Sequence, residues 1–324
     1  MNIRKILTDI RGVSVLVVGD ICLDRWCQYD PDLAEPSRET GLPRIATVHV
    51  ERTPGAGGTV ANNLAALGVG RVTVLGAIGE DSSAHELVDA LVKQGIAPDL
   101  LVRSPEIHTF TYNKYINRKT GIEDVPRIDL VNTRPLPESA EKELVNRLGE
   151  YGPRFDVIIV ADQAETNAGG AVTPKLREIM QVLGRNRVVW VDSRKRIEQF
   201  RDVTLKPNED EANEACERIG APGDYGKLLE VTQAPWLIVT HGGEGASVLN
   251  RDGKHQVPGK RIANPVDICG AGDSFSAGGA VTLAVTGDAV QAARFGNLVA
   301  SITVMQAGTG TASPEQVLAA AVSE

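Results

Sequence analysis

After a charged opening from Met1 to Ile10, the chain sets a mostly β-branched run, Val13-Ser14-Val15-Leu16-Val17-Val18, that stops at Gly19-Asp20. A short apolar run bounded in this way predicts a strand buried on both faces of a parallel sheet. Similar runs recur at Arg71 to Ala77, Asp156 to Ala161, Arg187 to Asp192, Val203 to Asn208 and Trp236 to Thr240. Between them, apolar residues fall at helical spacing. Val60, Leu64 and Leu67 are closed by Gly68, and further helices are predicted over Ser82 to Gln94, Glu138 to Tyr151 and Thr173 to Leu183. Strands alternating with helices imply right-handed βαβ crossovers and a mostly parallel sheet with helices on both faces, an α/β fold. Ile45 to Val50 behaves differently, alternating polar and apolar after a polar, proline-rich stretch from Pro31 to Pro43. Together with Thr109 to Ile116 it predicts a small antiparallel sheet standing off the main fold.

Composition narrows the classes. With 324 residues and 42 % apolar content there is enough chain for one large domain, and no internal repeat, long linker or low-complexity tract divides residues 1–324. Aromatics at 4 % leave little to stack bases, and a net charge of −8 repels nucleic acid. Cys22, Cys27, Cys216 and Cys269 lack metal-ligand spacing, and no apolar run is long enough for a membrane span. A cytoplasmic protein with reduced thiols and neither a membrane nor a nucleic-acid partner is expected.

Candidate chemistry concentrates at Val266-Asp267-Ile268-Cys269-Gly270-Ala271-Gly272-Asp273, which runs into a helical pattern of small and apolar residues. Glycines at a helix N-terminus, with its unpaired amides and partial positive charge, suit an anion, phosphate above all. An acid at that place either stabilises the first helical turn or accepts a proton from a hydroxyl attacking a phosphoryl group. Ligands of open α/β sheets bind off the carboxyl ends of strands, the zone of Asp20 and Asp24. Asn208 to Glu211 reads as an N-capped acidic first turn. A Walker P-loop is absent, and Pro54 to Thr59 does not complete a dinucleotide fingerprint.

Asp-Ile-Cys-Gly-Ala-Gly-Asp-Ser-Phe-Ser-Ala-Gly, from Asp267 to Gly278, resembles the C-terminal signature of the ribokinase-like, or PfkB, carbohydrate kinases. Gly19 to Arg25 resembles their first motif, especially in the branch phosphorylating heptose 7-phosphate. Thr240, Gly242 and Gly245 match the family's Thr-x-Gly-x-x-Gly, and Asn208 and Glu211 match its Asn-x-x-Glu. The order of these motifs, from about Val13 to Thr311, carries the resemblance over nearly the whole chain.

The resemblance implies a ribokinase-like three-layer fold, with a small β-sheet lid at about residues 22–52 and 107–119 that often also makes a homodimer contact. It implies ATP-dependent phosphorylation of a sugar or sugar-phosphate hydroxyl, with Mg2+ and in some members a monovalent cation. Asp273 would then be the general base and Gly270, Ala271 and Gly272 the anion hole. Asp20, Asp24, Gly55, Gly57, Gly58, Thr59 and Asn63 would meet the acceptor, and Arg127, in a locally basic stretch after the second lid strand, is a candidate contact for an acceptor that already carries a phosphate. Asn208, Thr240, Gly242, Gly245 and Asn297 would meet the nucleotide, with Asn208 and Glu211 holding magnesium through water. Three positions depart from the family pattern: Cys269 replaces Thr, Thr59 the usual sugar-binding Asn, and Ala56 a Gly. A nucleoside kinase of the same fold, or a catalytically weak sugar-binding regulator, are the competing readings.

Overall fold

The computed structural model describes residues 1–322 apart from 165 and 167. Its strands are β1 (Ser14–Gly19), β2 (Ile21–Tyr29), β3 (Thr47–Ala56), β4 (Arg71–Leu75), β5 (Ala77–Gly79), β6 (Val102–Ser104), β7 (Thr111–Asn117), β8 (Val157–Asp162), β9 (Val188–Ser193), β10 (Thr204–Leu205), β11 (Leu237–Thr240), β12 (Gly245–Asn250) and β13 (Gly253–Pro258). The helices are α1 (Ile3–Asp9), α2 (Gly57–Ala66), α3 (Ser82–Lys93), α4 (Glu138–Tyr151), α5 (Pro174–Gly184), α6 (Glu209–Arg218), α7 (Tyr225–Thr232), α8 (Ala271–Thr286), α9 (Ala289–Thr303) and α10 (Pro314–Val322).

One large sheet has the order β13-β12-β11-β10-β9-β8-β1-β4. Every neighbouring pair from β11 to β4 is parallel, and the hairpin of β12 and β13 completes the sheet antiparallel. Successive strand residues point to opposite faces, so each strand feeds two cores. Val15 and Val17 join Ile159, Trp190, Phe275 and Phe295 in the core that packs α2, α8 and α9. Leu16 and Val18 join Ile158, Val160, Leu176 and Leu205 in the core beneath α4, α5, α6 and α7. Among the described residues no helix is long and apolar enough to cross a membrane.

The small sheet corrects an expectation. The segments around Ile45 to Val50 and Thr109 to Ile116 do not pair with each other, because β2 lies between them in the order β3-β2-β7. It runs antiparallel to β3 and parallel to β7. Read only as a motif at a strand end, this stretch hides a second strand. Yet Ile21, Leu23, Cys27 and Tyr29 are buried at odd-numbered positions, the period of a pleated sheet. A second unanticipated pairing joins β5 and β6 in parallel.

Two points root the small sheet in the core. Asp20 alone separates β1 from β2, and β3 runs straight into α2. The Gly57 amide donates to the Asp20 carbonyl at 2.9 Å and closes the junction. Ala56, just before it, has φ 51° and ψ −121°, a region that costs a side-chain-bearing residue about 1–3 kcal/mol. Ala56→Gly should therefore raise stability by about 1 kcal/mol, once the extra freedom of glycine in the unfolded chain is subtracted. Urea unfolding measures this, and a midpoint at or below that of the wild type would contradict the strain.

Candidate active site

The N-terminus of α8 lies at the rim formed by the carboxyl ends of the parallel strands. Gly270, its N-cap, has φ 79°, the left-handed conformation that favours glycine. The Ala271 amide already donates to the Ile268 carbonyl at 3.2 Å, so of the expected trio Ala271 is engaged in the turn. Beside this helix end opens a cleft of about 440 Å³ whose walls include Thr240, Gly242, Gly272, Phe275 and Asn297. That size suits a nucleotide-sized ligand. Gly245, expected with them, instead opens β12 and is not among the cleft walls.

Asp273 sits in the first turn of α8, where Gln163 donates its side-chain amide to Oδ1 at 3.2 Å. Burial and the Asp192 carboxylate push the Asp273 pKa up to about 7, against the pull of Lys206, Arg194 and the Gln163 amide. Lys206 was not singled out from the sequence. Its ammonium lies 2.5 Å from Asp192 Oδ2, and 3.4 Å from where a Cβ on Gly272 would stand. Burial works against this charge, but Asp192, Glu211 and Asp273 outweigh it and raise the Lys206 pKa. A lysine closing a buried strand just before Pro207 was the available signal. Ser276 also reaches Asp192, donating to Oδ2 at 3.2 Å.

Asn208 and Glu211 form a reciprocal cap: Asn208 Oδ1 accepts the Glu211 amide at 2.9 Å, and Glu211 Oε2 accepts the Asn208 amide at 2.8 Å. The capping reading is thus right as local structure. It also turns Glu211 toward Lys206 and Asp192. Burial, then the Asp192 charge, raises the Glu211 pKa, with Lys206 pulling it back. Among the described residues no group of three or more His, Cys, Asp or Glu could hold a metal ion by itself. One oriented carboxylate still fits Mg2+ chemistry, in which phosphates and water fill most positions.

The acceptor residues divide into two groups. Asp24 projects from β2 across β3: a Cβ on Gly55 would stand 2.1 Å from its Oδ1, so only glycine leaves room for that carboxylate. Burial pushes the Asp24 pKa up to about 6, against Lys114, the Cys22 thiol and Arg127. Lys114, on β7, places its ammonium 3.4 Å from Cys269 Sγ and 4.4 Å above the Trp26 ring. Arg127 pairs with Asp129 at 2.7 Å and lies over Tyr112. Thr59 approaches Gly270 with its methyl group, while its hydroxyl donates to the Pro54 carbonyl at 3.3 Å. These side chains gather where the small sheet meets the start of α8.

Asp20 and Asn63 do not join them. Each Asp20 oxygen accepts a backbone amide, from Gln163 at 2.8 Å and from Ala171 at 2.7 Å. Burial and Asp162 push its pKa up to about 6, against those amides and Arg196. Asn63 is fully buried, with its side-chain amide on the Thr59 carbonyl at 3.0 Å. Gly57 and Gly58 are buried where β3 turns into α2.

A family model described as "pfkB family carbohydrate kinase" matches residues 14–316. The bifunctional protein HldE of Geobacter metallireducens is 29 % identical, over 98 % of this chain and 64 % of the relative. That of Trichlorobacter lovleyi is 31 % identical, over 95 % and 62 %. The chain thus spans a little under two thirds of the length of these relatives. Among solved structures, ribokinase from Thermotoga maritima superposes with a TM-score of 0.70 at 21 % identity, covering 96 % of this chain and 99 % of that one. Phosphofructokinase-2 from Escherichia coli in complex with potassium gives 0.73 at 18 % identity, with 96 % and 99 % covered.

Proposed function

This chain belongs to the PfkB family of carbohydrate kinases, and we propose that it transfers the γ-phosphoryl group of ATP to a hydroxyl of a sugar or sugar phosphate. The observation that carries the reading is the place of Asp273. It is a half-buried carboxylate with its pKa near neutrality, set in the first turn of the helix that borders the cleft. A general base works best with a pKa close to the operating pH. Magnesium-bound ATP would supply the γ-phosphoryl group, with ADP as the leaving group. Asp24 accepts hydrogen bonds from acceptor hydroxyls, and Asp273 takes the proton as one of them attacks. The helix N-terminus and the Lys206 ammonium offset the charge of the transferring group. Glu211, oriented by Asn208, would hold the magnesium ion through water.

Lys114 and Arg127 lie close enough to Asp24 to oppose the rise of its pKa, and this local positive charge supports an acceptor that already carries a phosphate. Heptose 7-phosphate is the first candidate. The small sheet acts as a lid, excluding water that would otherwise take the phosphoryl group. A transfer screen from ATP over free sugars, sugar phosphates and nucleosides, read by mass spectrometry of the product, tests the reading. Product confined to nucleosides, or ATP hydrolysis with no transfer, overturns it.

The lid also carries exposed Leu42, Ile45, Val48, Ile122 and Ile128, supporting a homodimer through this sheet. Sedimentation should then show a dimer that Leu42→Asp with Ile122→Asp converts to monomer. A wild type that sediments as a monomer at all loadings excludes it.

A further inference from the structure

We infer that Gln163 is a positioning residue for Asp273, and that Asp20 holds Gln163 in place for that task. The inference deepens the proposed kinase reading and rests on it for its kinetic consequence only. Gln163 follows β8 directly and is nearly buried. Its side-chain amide donates to Asp273 Oδ1 at 3.2 Å, and its backbone amide donates to Asp20 Oδ2 at 2.8 Å. The second Asp20 oxygen accepts the Ala171 amide at 2.7 Å, so one carboxylate gathers Gln163 and Ala171 at the end of β1. A second clamp lies beside it: Asp162, immediately before Gln163, accepts the Ser193 hydroxyl at 2.6 Å and pairs with the Arg196 guanidinium. The backbone of Gln163 is therefore held both directly and through its neighbour, at the place from which its side-chain amide reaches Asp273.

The chemistry suits a base. A donor on Oδ1 favours the charged carboxylate and leaves Oδ2 to take the proton. A neutral amide does this without adding a further full positive charge to those of Lys206 and Arg194, which would pull the carboxylate too far down to accept a proton. The other groups that set this carboxylate are Asp192 and Arg194 at the end of β9 and Lys206 after β10, and Cys22 on β2 also feels its charge.

The test follows the Asp273 carboxyl directly, by NMR titration of protein labelled with 13C in its aspartate carboxyls, with Asp273→Asn assigning the signal. In Gln163→Ala the midpoint should rise by roughly one pH unit, as loss of a hydrogen bond to a charged group implies. Gln163→Glu, which adds a like charge as well, should rise further, and Asp20→Asn should shift the same way by less. The acid limb of kcat/KM, with the best acceptor from the screen, should move by the same amount while KM for ATP stays put. A midpoint unchanged in Gln163→Ala, or a rate loss equal at every pH, overturns the inference. The titration needs no substrate, so it judges Gln163 separately from the base, which the turnover of Asp273→Asn judges.

Discussion

Asp273→Asn is expected to cost on the order of 10²–10⁴-fold in kcat while ATP and sugar still bind. The same substitution should make the protein more stable above neutral pH. The folded state holds the Asp273 pKa at about 7 against an ordinary 3.8. Between those values the folded protein retains a proton that the unfolded chain has released, so this group's contribution to stability falls as pH rises through the window. Above it the whole burial penalty is in force, and an asparagine does not carry it. If Asp273 merely capped the helix, its loss would instead lower stability by up to about 1 kcal/mol and leave activity nearly intact. Urea unfolding at pH 8 and turnover on the same preparation separate the two. A variant less stable than wild type that turns over within a few-fold of it (set against the general-base cost above) would sink the mechanism. For the wild type, kcat/KM should climb with pH and level off above about 7, as the carboxylate loses its proton.

The largest stability effect is expected at Lys206. Its side chain and that of Asp192 are 4 % and 8 % exposed, so removing the cation leaves a carboxylate buried without its partner. Breaking such a pair costs about 3–5 kcal/mol. Lys206→Met should show that loss in urea at pH 8 and less of it at pH 5.5, where Asp273, with its pKa at about 7, takes up a proton. Adding Asp192→Asn should recover most of the stability. A single variant that unfolds at the wild-type midpoint, or a double variant no more stable than the single, contradicts the account. The remaining activity should also need higher pH, since Lys206 is first among the groups that pull Asp273 down.

How legible these features are in the sequence follows from how local their causes are. The strands β1, β8 and β9 announce themselves because a strand covered on both faces must be apolar at every step. The reciprocal cap of Asn208 and Glu211 spans four residues, and the glycine turn before Asp273 is contiguous. The strand read over Val203 to Asn208 is present too, though β10 pairs over only Thr204–Leu205, because the sequence does not mark where pairing stops. The strand character of β2 is masked by Asp24, Arg25 and Gln28, whose polarity serves the site and the surface rather than the core. Gln163 and Asp273 stand 110 positions apart. No local pattern records a hydrogen bond between the end of one strand and the start of a distant helix. Lys206 is hidden for the same reason, its carboxylate partner lying on the neighbouring strand.

The way the small sheet is rooted makes it a lever. Its central strand leaves β1 through the single residue Asp20, and its return strand re-enters the core at Gly57, whose amide is pinned to the Asp20 carbonyl. Arg25 and Arg52 also bond to Glu86 of α3, and Arg25 to Ser83, so the inner half of β2 is held and only its outer half is free to swing. Each degree of bending beyond Arg25 then moves Tyr29, four residues further out, by roughly 0.2 Å and leaves Asp24 in place. The arrangement has high gain at the tip and low gain at the root. A sheet so mounted can move at its tip while Asp24, the carboxylate proposed to hold the acceptor, scarcely leaves its station.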